Sequence, residues 1–197
     1  MHSHHYRTPE HLPGAVVLVV GGGNSGVQIA QELARAGRQV HLAARTRPRH
    51  LPQRVLGRDL FWWLHTTGVL GAPATSRLGR RLRAADPVIG TPRSRLVRAG
   101  VRFHPAVVAA AGDTVTFADG ASLVPEAVLW ATGYRHDDRW VRIPGAVDEH
   151  GKLITATGRT PAPGLFTLGR SWQRDRSSAL LGFVGADARR LVAELTT

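Results

Sequence analysis

A glycine-rich turn near the start of the sequence has the residue types and spacing needed to bind a phosphate-bearing ligand. Its sequence, Gly21-Gly22-Gly23-Asn24-Ser25-Gly26, follows the pattern G-x-G-x-x-G. In this pattern the first glycine allows a tight reversal, the second lets the backbone approach a pyrophosphate, and the third lets a helix pack closely on a strand. The free N–H groups and the macrodipole of the following helix favour an anion at its N-terminus. The residues expected to hold a dinucleotide pyrophosphate are Gly21, Gly23, Asn24, Ser25 and Gly26.

The segments around the turn follow the order that a nucleotide-binding unit requires. An unbroken apolar run at 15–20 predicts a buried strand before the turn. After the turn, apolar residues at helical spacing predict a helix that ends near Gly37, and residues 39–44 predict a second strand. A lone G-x-G-x-x-G is weak evidence. Strand, turn, helix and second strand together indicate a βαβ unit that binds a dinucleotide, rather than a turn that binds nothing.

Arg45 follows the second strand, at the position that distinguishes the two nicotinamide dinucleotides. An acidic residue there binds the ribose hydroxyls of NAD, whereas an arginine accommodates the 2′-phosphate of NADP. Thr46 and Arg47 stand beside Arg45, and no acidic residue occurs between Glu32 and Asp59. Because a guanidinium can hold a phosphate through two hydrogen bonds, we predict that Arg45, with Thr46, binds NADP(H). The alternative is a solvated arginine, since the chain has 26 basic residues.

Length and composition narrow the class of protein. With 197 residues, of which 43% are hydrophobic, the chain can form one globular domain, or one domain and a fragment. It has no cysteine, which excludes disulfides, thiolate metal sites and a C-x-x-C redox centre. No apolar stretch approaches the length of a membrane span, and the N-terminus lacks the apolar core of a signal peptide. We therefore expect a cytoplasmic protein.

The formal net charge of +12 raises nucleic acid as a partner, because a clustered basic surface can bind a phosphate backbone. All but one of the 26 basic residues are arginine, which indicates a compositional bias rather than selected patches. The densest group, at 77–83, is predicted to be a solvated helix face. Four histidines crowd the N-terminus, but a frayed terminus cannot fix ligand geometry, so no metal site is predicted. These histidines are His2, His4, His5 and His11.

The rest of the sequence predicts a change from helices to strands. Residues 48–99 are broken by glycine and proline into short helices and loops, with an apolar helix at 60–64. From residue 101 the pattern alternates, and Asp119-Gly120 is a hairpin signal, so a small antiparallel meander is inserted before the next buried strand. The elements predicted here are strands at 101–103, 107–110, 114–117, 127–131 and 165–168, and a final helix from about Ser178 to Glu194.

Four stretches of the sequence match motifs that occur together in one family. They correspond in chain order to the end of an F-x-G-x-x-x-H-x-x-x-Y/F fingerprint, an NADPH-binding turn with an Asn-Ser pair, an A-T-G-Y linker motif and a segment that returns to a flavin site. The stretches are 2–6, 21–26, 131–134 and, for the last, 164–169 with 178–182. The sequence therefore resembles the flavin-containing monooxygenases and their bacterial relatives, a group that includes the Baeyer-Villiger type enzymes. The resemblance covers nearly the whole chain.

The resemblance implies an α/β fold of the Rossmann-like FAD/NAD(P)-binding type in three layers, with βαβ connections in a parallel sheet and an inserted antiparallel β-meander. It also implies that NADPH reduces FAD, that reduced flavin traps dioxygen as a hydroperoxide, and that oxygen passes to a small nucleophilic or ketone substrate. Thr132 and Gly133 would line the dinucleotide cleft. Ser178 and Leu180 would approach the flavin once an FAD-binding domain is supplied. Because the cofactor supplies the chemistry, no residue is assigned as a catalytic acid, base or nucleophile.

The resemblance further implies that half of the family's cofactor machinery is missing. Family members begin with an FAD-binding βαβ unit bearing its own G-x-G-x-x-G, whereas this chain has one such turn. We expect residues 1–13 to be a linker with a truncated fingerprint, 14–134 to bind NADPH, and 135–197 to return to the FAD domain. The expected partner is a separate FAD-binding chain or a second copy, because the last segment would have uncovered apolar residues. These are Leu180, Leu181, Phe183 and Val184.

Two other classes of function stay open at this point. The chain could be a free-standing NADP-binding module without redox turnover, or an arginine-rich nucleic-acid binder. Salt-dependent retention on a polyanion that NADPH does not relieve would favour the nucleic-acid binder. The substrate stays open too, as does the choice between a genuine short protein, a split gene and a mistaken start codon.

Overall fold

The computed structural model divides the described residues into two compact units. The described residues are 1–84 and 87–195. The first unit comprises residues 1–57 and 87–133, and the second comprises residues 58–84 and 134–195. The three-part division expected from the sequence stays a prediction, and its residues 85–86 and 196–197 lie outside the described part.

The described residues form short strands and helices. In chain order they are β1 (Val16–Val20), α1 (Asn24–Arg35), β2 (Gln39–Ala43), β3 (His50–Leu51), β4 (Arg54–Val55), β5 (Arg58–Asp59), α2 (Leu60–Thr66), α3 (Arg77–Ala84), β6 (Val88–Ile89), α4 (Arg93–Arg98), β7 (Arg102–His104), β8 (Val107–Ala111), β9 (Thr114–Phe117), β10 (Ser122–Leu123), β11 (Ala127–Trp130) and α5 (Gly185–Leu195). Turns of 3-10 helix occur at Pro9–His11, Val69–Gly71 and Arg176–Ala179.

The first unit is built on a four-stranded parallel sheet in the order β11-β1-β2-β7. Val17 of β1 is in register with Val40 of β2 on one side and with Ala127 of β11 on the other. On the far side of β2, Leu42 is in register with Phe103 of β7. The chain therefore reaches β2 on one side of β1 and later returns to the other side as β11. Strand order reverses between β1 and β11.

Both faces of this sheet are covered. Val17 belongs to a core that includes Val27 of α1, whereas the next residue, Leu18, belongs to a second core that includes Phe117 of β9. β9 is the central strand of a three-stranded antiparallel sheet in the order β10-β9-β8. A helical layer, a parallel sheet and an antiparallel sheet thus stack in three layers. Cover on both faces explains why β1 is a continuous apolar run. The predicted α/β fold with an inserted meander is confirmed.

Most elements of the first unit lie where the sequence pattern predicts them. β1, α1 and β2 occupy the predicted strand, helix and strand, although α1 already begins at Asn24, inside the glycine turn. The strand predicted at 101–103 is β7, and it joins the parallel sheet rather than the meander. The parallel pair β3–β6 was not predicted, because strands of two residues leave no periodic signal.

Two elements predicted for the second unit are wrong. Residues 165–168 form no strand, because Phe166 makes only an isolated bridge and the N–H of Thr167 donates to the loop carbonyl of Gly158. The last helix begins at Gly185 and not at Ser178. At 176–179 the chain forms a 3-10 turn instead, since the Asp175 carboxylate accepts a hydrogen bond from the N–H of Ser177. Local side-chain caps of this kind compete with a longer helix.

The apolar residues that were expected to lack cover differ from one another. Leu181 is 98% exposed, whereas Leu180, Phe183 and Val184 are half-buried. The ring of Phe183 lies 4.9 Å from the ring of His65. On α3 the four arginines are exposed, as the sequence predicted. None of the helices in the described part of the chain has the length and apolar character needed to cross a membrane.

The second unit has a buried ion pair in place of an extended sheet. The two terminal guanidinium nitrogens of Arg170, Nη1 and Nη2, donate to the Asp138 carboxylate at 2.9 and 2.6 Å. The N–H of Leu153 donates to the same carboxylate at 2.9 Å. Asp138 is 6% exposed. These hydrogen bonds from Arg170 hold the pKa of the Asp138 carboxyl below its usual value. The pair therefore joins three loop segments that have little regular secondary structure.

Replacing Asp138 with asparagine is expected to lower the Tm of the chain by several degrees at neutral pH. Removing one partner of a buried pair leaves the other charge uncompensated, which costs about 2 kcal/mol or more. A carboxyl whose pKa is lower in the folded state stabilises the fold above its ordinary pKa of about 4, and loses that contribution as the pH falls through the folded-state pKa. The Tm difference between the wild type and the Asp138→Asn variant should therefore shrink on acidification.

The neighbouring residue provides a matched control for this measurement. Asp137 also pairs with an arginine, Arg139, at 2.5 Å, but both side chains are exposed. Water screens such a pair, so Asp137→Asn should leave the Tm unchanged. Equal Tm changes for the two variants at neutral pH would contradict a stabilising role of the Asp138–Arg170 pair.

Candidate dinucleotide site

Two glycines of the turn are required by the packing of the first unit. Gly21 has φ +126°, and a Cβ atom there would overlap the carbonyl oxygen of Ala131, at the end of β11. A Cβ on Gly26 would overlap the carbonyl oxygen of Gly21, because α1 begins directly against the turn. The first glycine therefore permits a tight reversal against β11, and the third permits close approach of helix and strand.

Gly23 has a different environment, since it faces open space. A Cβ atom at this position would meet no protein atom within 4 Å. Gly23 is the N-cap of α1; no side chain caps this end, and no acidic residue lies in its first turn. The N–H groups of the first turn are therefore directed toward a space that no residue of the turn fills. Such a helix end attracts an anion through its N–H groups and its dipole.

The side chain of Asn24 is already engaged with the protein. Its Nδ2 donates to the carbonyl oxygen of Pro87 at 3.2 Å, and its Oδ1 accepts from the N–H of Ile89 at 3.1 Å. The amide thus fixes β6 beside the start of α1, as a strand partner would. Asn24 can therefore offer a ligand only its backbone N–H. The side chain of Ser25 is exposed.

Three strand ends meet around the turn. The N–H of Gly21 donates to the carbonyl oxygen of Ala43 at the end of β2, and the N–H of Ala131 donates to the carbonyl oxygen of Val20. Thr132 and Gly133 follow β11 directly and are exposed. Because strand order reverses between β1 and β11, these residues lie at the carboxyl edge of the sheet, at its switch point. Parallel α/β sheets bind ligands at this position.

A cleft of about 400 Å³ lies at the end of β2. It begins at Ala44, and its lining comes from the segments that follow β2 and β7 and from the start of α4. The lining residues are Ala44, Arg45, Thr46, Arg47, Pro48, Arg93, Phe103, His104 and Pro105. The cleft adjoins the glycine turn, since a Cβ on Gly22 would lie 2.8 Å from the Cβ of Ala44 and 2.7 Å from Cγ of Pro48.

Positive charge dominates this cleft. Among the described residues, its lining has three arginines and no Asp or Glu. The guanidinium carbon of Arg93 lies 3.5 Å from the centre of the Phe103 ring, which holds the side chain by a cation–π contact. Burial and the nearby charge of Arg47 lower the pKa of Arg93. Like charges held this close favour a bound anion, because an anion relieves their repulsion.

Sequence reasoning found Arg45 and Thr46 and missed the residues that face them. Arg93, Phe103 and His104 belong to the connection that leads into β7 and to the end of β7 itself. The signal that could have found them was the order of the parallel strands, because β7 lies next to β2 and their ends share an edge. Position along the sequence gives no such indication.

The structure brings together the predicted residues of the turn and of the ends of β2 and β11, but Ser178 and Leu180 belong to the other unit. Ser178 is buried, and its Oγ accepts hydrogen bonds from the N–H groups of Arg174 and Asp175 at 3.2 and 3.3 Å. It therefore stabilises the 3-10 turn of its own segment. Leu180 ends that turn and is half-buried. Their contact with a flavin stays a prediction.

No group of three or more metal-binding side chains occurs within the described residues. The four N-terminal histidines are among those described. Two of them, His4 and His5, contact each other edge to face, at 5.0 Å between ring centres.

Comparisons relate the chain to flavin-dependent enzymes. The family model for pyridine nucleotide-disulphide oxidoreductases matches residues 1–56. An uncharacterised CzcO-like oxidoreductase of Geobacillus kaustophilus is 38% identical over 99% of this chain and 56% of its own length. A double mutant of the flavin monooxygenase from Stenotrophomonas maltophilia is 25% identical, with a TM-score of 0.71 over 100% of this chain and 54% of that one. The ornithine N-hydroxylase of Kutzneria sp. 744, solved with reduced FAD, NADP⁺ and L-ornithine, is similar in fold at 18% identity, with a TM-score of 0.64 over 96% of this chain and 55% of that one.

The matched part is a larger share of this chain than of each relative. The relatives match this chain over nearly all of its length, but the chain spans about half of theirs. The chain also has no cysteine, so it contains no dithiol of the kind on which disulphide reduction depends. The family model matches residues 1–56, which include β1, α1 and β2.

Proposed function

We propose, on the premise that this chain belongs to the flavin-dependent monooxygenase and oxidoreductase family, that it supplies the NADPH-binding part of such an enzyme. The observation that carries the proposal is a cleft that adjoins the open glycine turn and whose described lining has three arginines and no carboxylate. A dinucleotide with an extra phosphate on one ribose fits such an arrangement, because each part presents positive charge to one of its phosphate groups.

The glycine turn would hold the pyrophosphate. A Cβ on Gly23 would meet no described atom within 4 Å, which supports a pyrophosphate there, and the N–H groups of Asn24, Ser25 and Gly26 begin α1 behind that space. Thr132 and Gly133, just after β11, would lie beside this space. In this assignment Asn24 contributes its backbone alone, since its side chain holds β6.

The cleft at the end of β2 would hold the 2′-phosphate of NADPH. Arg45 is exposed and can turn its guanidinium toward the phosphate for two parallel hydrogen bonds, with the Thr46 hydroxyl beside it. Arg47 and Arg93 add positive charge from the same lining. Arg93 is the most constrained of the three, because it packs on Phe103.

When bound, NADPH supplies a hydride to the flavin of the complete enzyme. The residues of this chain bind and orient the dinucleotide and do not exchange electrons themselves. The chain has one G-x-G-x-x-G turn, which the proposal assigns to NADPH. The site for FAD, oxygen activation and a small nucleophilic or ketone substrate would then require the part of the relatives that this chain does not match.

Titration of the purified chain with NADPH and NADH tests the proposal. We expect NADPH to bind, and to bind about tenfold or more tightly than NADH, because only NADPH reaches the arginines with a phosphate. Fluorescence of the reduced nicotinamide and isothermal calorimetry provide two independent measurements. Binding that is equal for the two cofactors, or absent for both, would contradict the assignment.

A further inference from the structure

A chain of hydrogen bonds leads from the surface to the arginine-lined cleft through two histidines. Nε2 of Gln39 lies 3.3 Å from Nε2 of His41, and Nδ1 of His41 lies 2.8 Å from Nε2 of His104. His41 is 4% exposed, His104 is half-buried and lines the cleft, and Gln39 is exposed. The sequence did not predict a functional role for Gln39, His41 or His104.

These contacts determine where the protons of the neutral pair reside. An amide nitrogen donates, so Nε2 of His41 accepts from Gln39 and the ring proton of His41 is on Nδ1. That proton is donated to Nε2 of His104, which leaves the proton of His104 on its own Nδ1. His104 is therefore a neutral hydrogen-bond donor in the unliganded protein, with its ring stacked on Phe117 at 4.1 Å between ring centres.

The charges around the pair keep it neutral while the cleft is empty. Burial is the largest cause that lowers the pKa of both rings. The charge of His104 and then that of Arg102 lower the pKa of His41 further, and Arg102 has a smaller lowering effect on His104. Asp119 acts in the opposite direction on His104. Across the cleft stand the three arginines of the lining, and Phe117 presents an uncharged face from β9. Burial therefore favours a neutral His104 ring, with the charge of Arg102 acting in the same direction and that of Asp119 against it.

We infer that His104 takes up a proton when the 2′-phosphate enters the cleft, and that it thereby distinguishes phosphorylated from unphosphorylated dinucleotides. The inference rests on the proposed function of the cleft. A phosphate dianion reverses the sign of the local field, because it neutralises the arginines and attracts a further positive charge. His104 then contributes a charged donor to the phosphate in addition to the guanidinium groups.

A proton can reach His104 from solvent through His41, with every bond that forms matched by one that breaks. A solvent proton binds Nε2 of His41 as the Gln39 amide turns its oxygen toward the ring. The Nδ1–H bond of His41 breaks, and an N–H bond forms on Nε2 of His104. His41 is neutral before and after this transfer, and the net charge of +1 resides on His104, within the cleft. Gln39 and His41 act as positioning residues, and His104 is the residue that contacts the ligand.

Isothermal calorimetry with 2′,5′-ADP in two buffers of different ionisation enthalpy measures this proton directly. At pH 7.5 both phosphate groups of free 2′,5′-ADP are already almost fully ionised, since the second pKa of each is about 6, so proton uptake reports on the protein. We expect the wild type to take up a measurable fraction of a proton per ligand at pH 7.5, and its affinity to rise as the pH falls from about 8.5 to 7.5.

His104→Gln is the informative variant, because a glutamine oxygen can still accept from Nδ1 of His41 but cannot be protonated. It should bind 2′,5′-ADP more weakly than the wild type at pH 7.5, take up no proton there, and show no rise in affinity as the pH falls from about 8.5 to 7.5. His11→Gln removes an exposed histidine outside the site and should behave as the wild type. Circular dichroism checks that each variant is folded.

Each outcome either supports or overturns the inference. Binding by the wild type without proton uptake, or equal uptake by the wild type and a folded His104→Gln variant, would overturn it while leaving the proposed NADPH site intact. Absence of 2′,5′-ADP binding at every pH would overturn both. The wild-type proton count remains decisive if the variant does not fold.

Discussion

Gly23→Val is expected to abolish NADPH binding while the chain stays folded. Valine fits the protein at this position, because φ is −77° and a Cβ would meet no atom within 4 Å. Its branched side chain would fill the space in front of the α1 N-terminus, where the pyrophosphate is proposed to lie. NADH binding should be lost as well, because both dinucleotides have the pyrophosphate. Fluorescence titration measures the loss, and circular dichroism and Tm establish that the fold is retained.

Gly71→Val provides the matched control for that variant. Gly71 is exposed in the second unit, and a Cβ there also meets no atom within 4 Å. The same substitution in open space, remote from the glycine turn in sequence, should leave both Tm and NADPH affinity unchanged. Retained affinity in a folded Gly23→Val variant would mean that the turn binds no pyrophosphate.

The glycine turn shows how a short motif can specify a long-range contact. The requirement for glycine at 21 comes from the carbonyl oxygen of Ala131, at the end of a strand more than a hundred residues further along the chain. The sequence predicted this contact only through the pattern, since G-x-G-x-x-G is tied to one arrangement of strand and helix. The parallel sheet and the position of α1 follow from the same signal.

Side-chain roles were less predictable than the fold. Asn24 and Ser178 are both polar residues of recognised motifs, and both use their side chains to stabilise neighbouring backbone. Neither composition nor spacing indicates whether a polar side chain faces a ligand or its own chain. The last helix was placed too early for a related reason, because Asp175 caps the start of a short 3-10 turn that ends at Leu180, within an apolar, helix-like pattern.

The sequence predicted only those residues of the cleft that follow β2. Arg45 and Thr46 follow a strand that periodicity identifies, so the sequence could place them. Arg93 and His104 come from a different connection, and only strand order brings them to the same edge. Assembling such a site requires knowledge that β7 lies beside β2, which no local pattern contains.

Arg45→Ala is expected to weaken NADPH binding by about tenfold to a hundredfold and to leave NADH binding nearly unchanged. A charge-assisted hydrogen bond to phosphate contributes about 1.5–3 kcal/mol, and each factor of ten in affinity corresponds to about 1.4 kcal/mol. Arg47 and Arg93 remain in the lining, so the loss should be partial rather than complete. NADH lacks the phosphate and therefore loses no hydrogen bond. The ratio of the two dissociation constants is the measurement.

The control for this last prediction is Arg49→Ala. Arg49 is exposed and close to Arg45 in the sequence, but it does not line the cleft. Both substitutions lower the net charge by one, so a general loss of attraction for anions would affect the two variants alike. A specific phosphate contact affects the Arg45 variant alone, and only for NADPH. Equal losses for NADPH and NADH in Arg45→Ala would show that Arg45 acts through the overall field of the protein, and the preference for NADPH would then need another source.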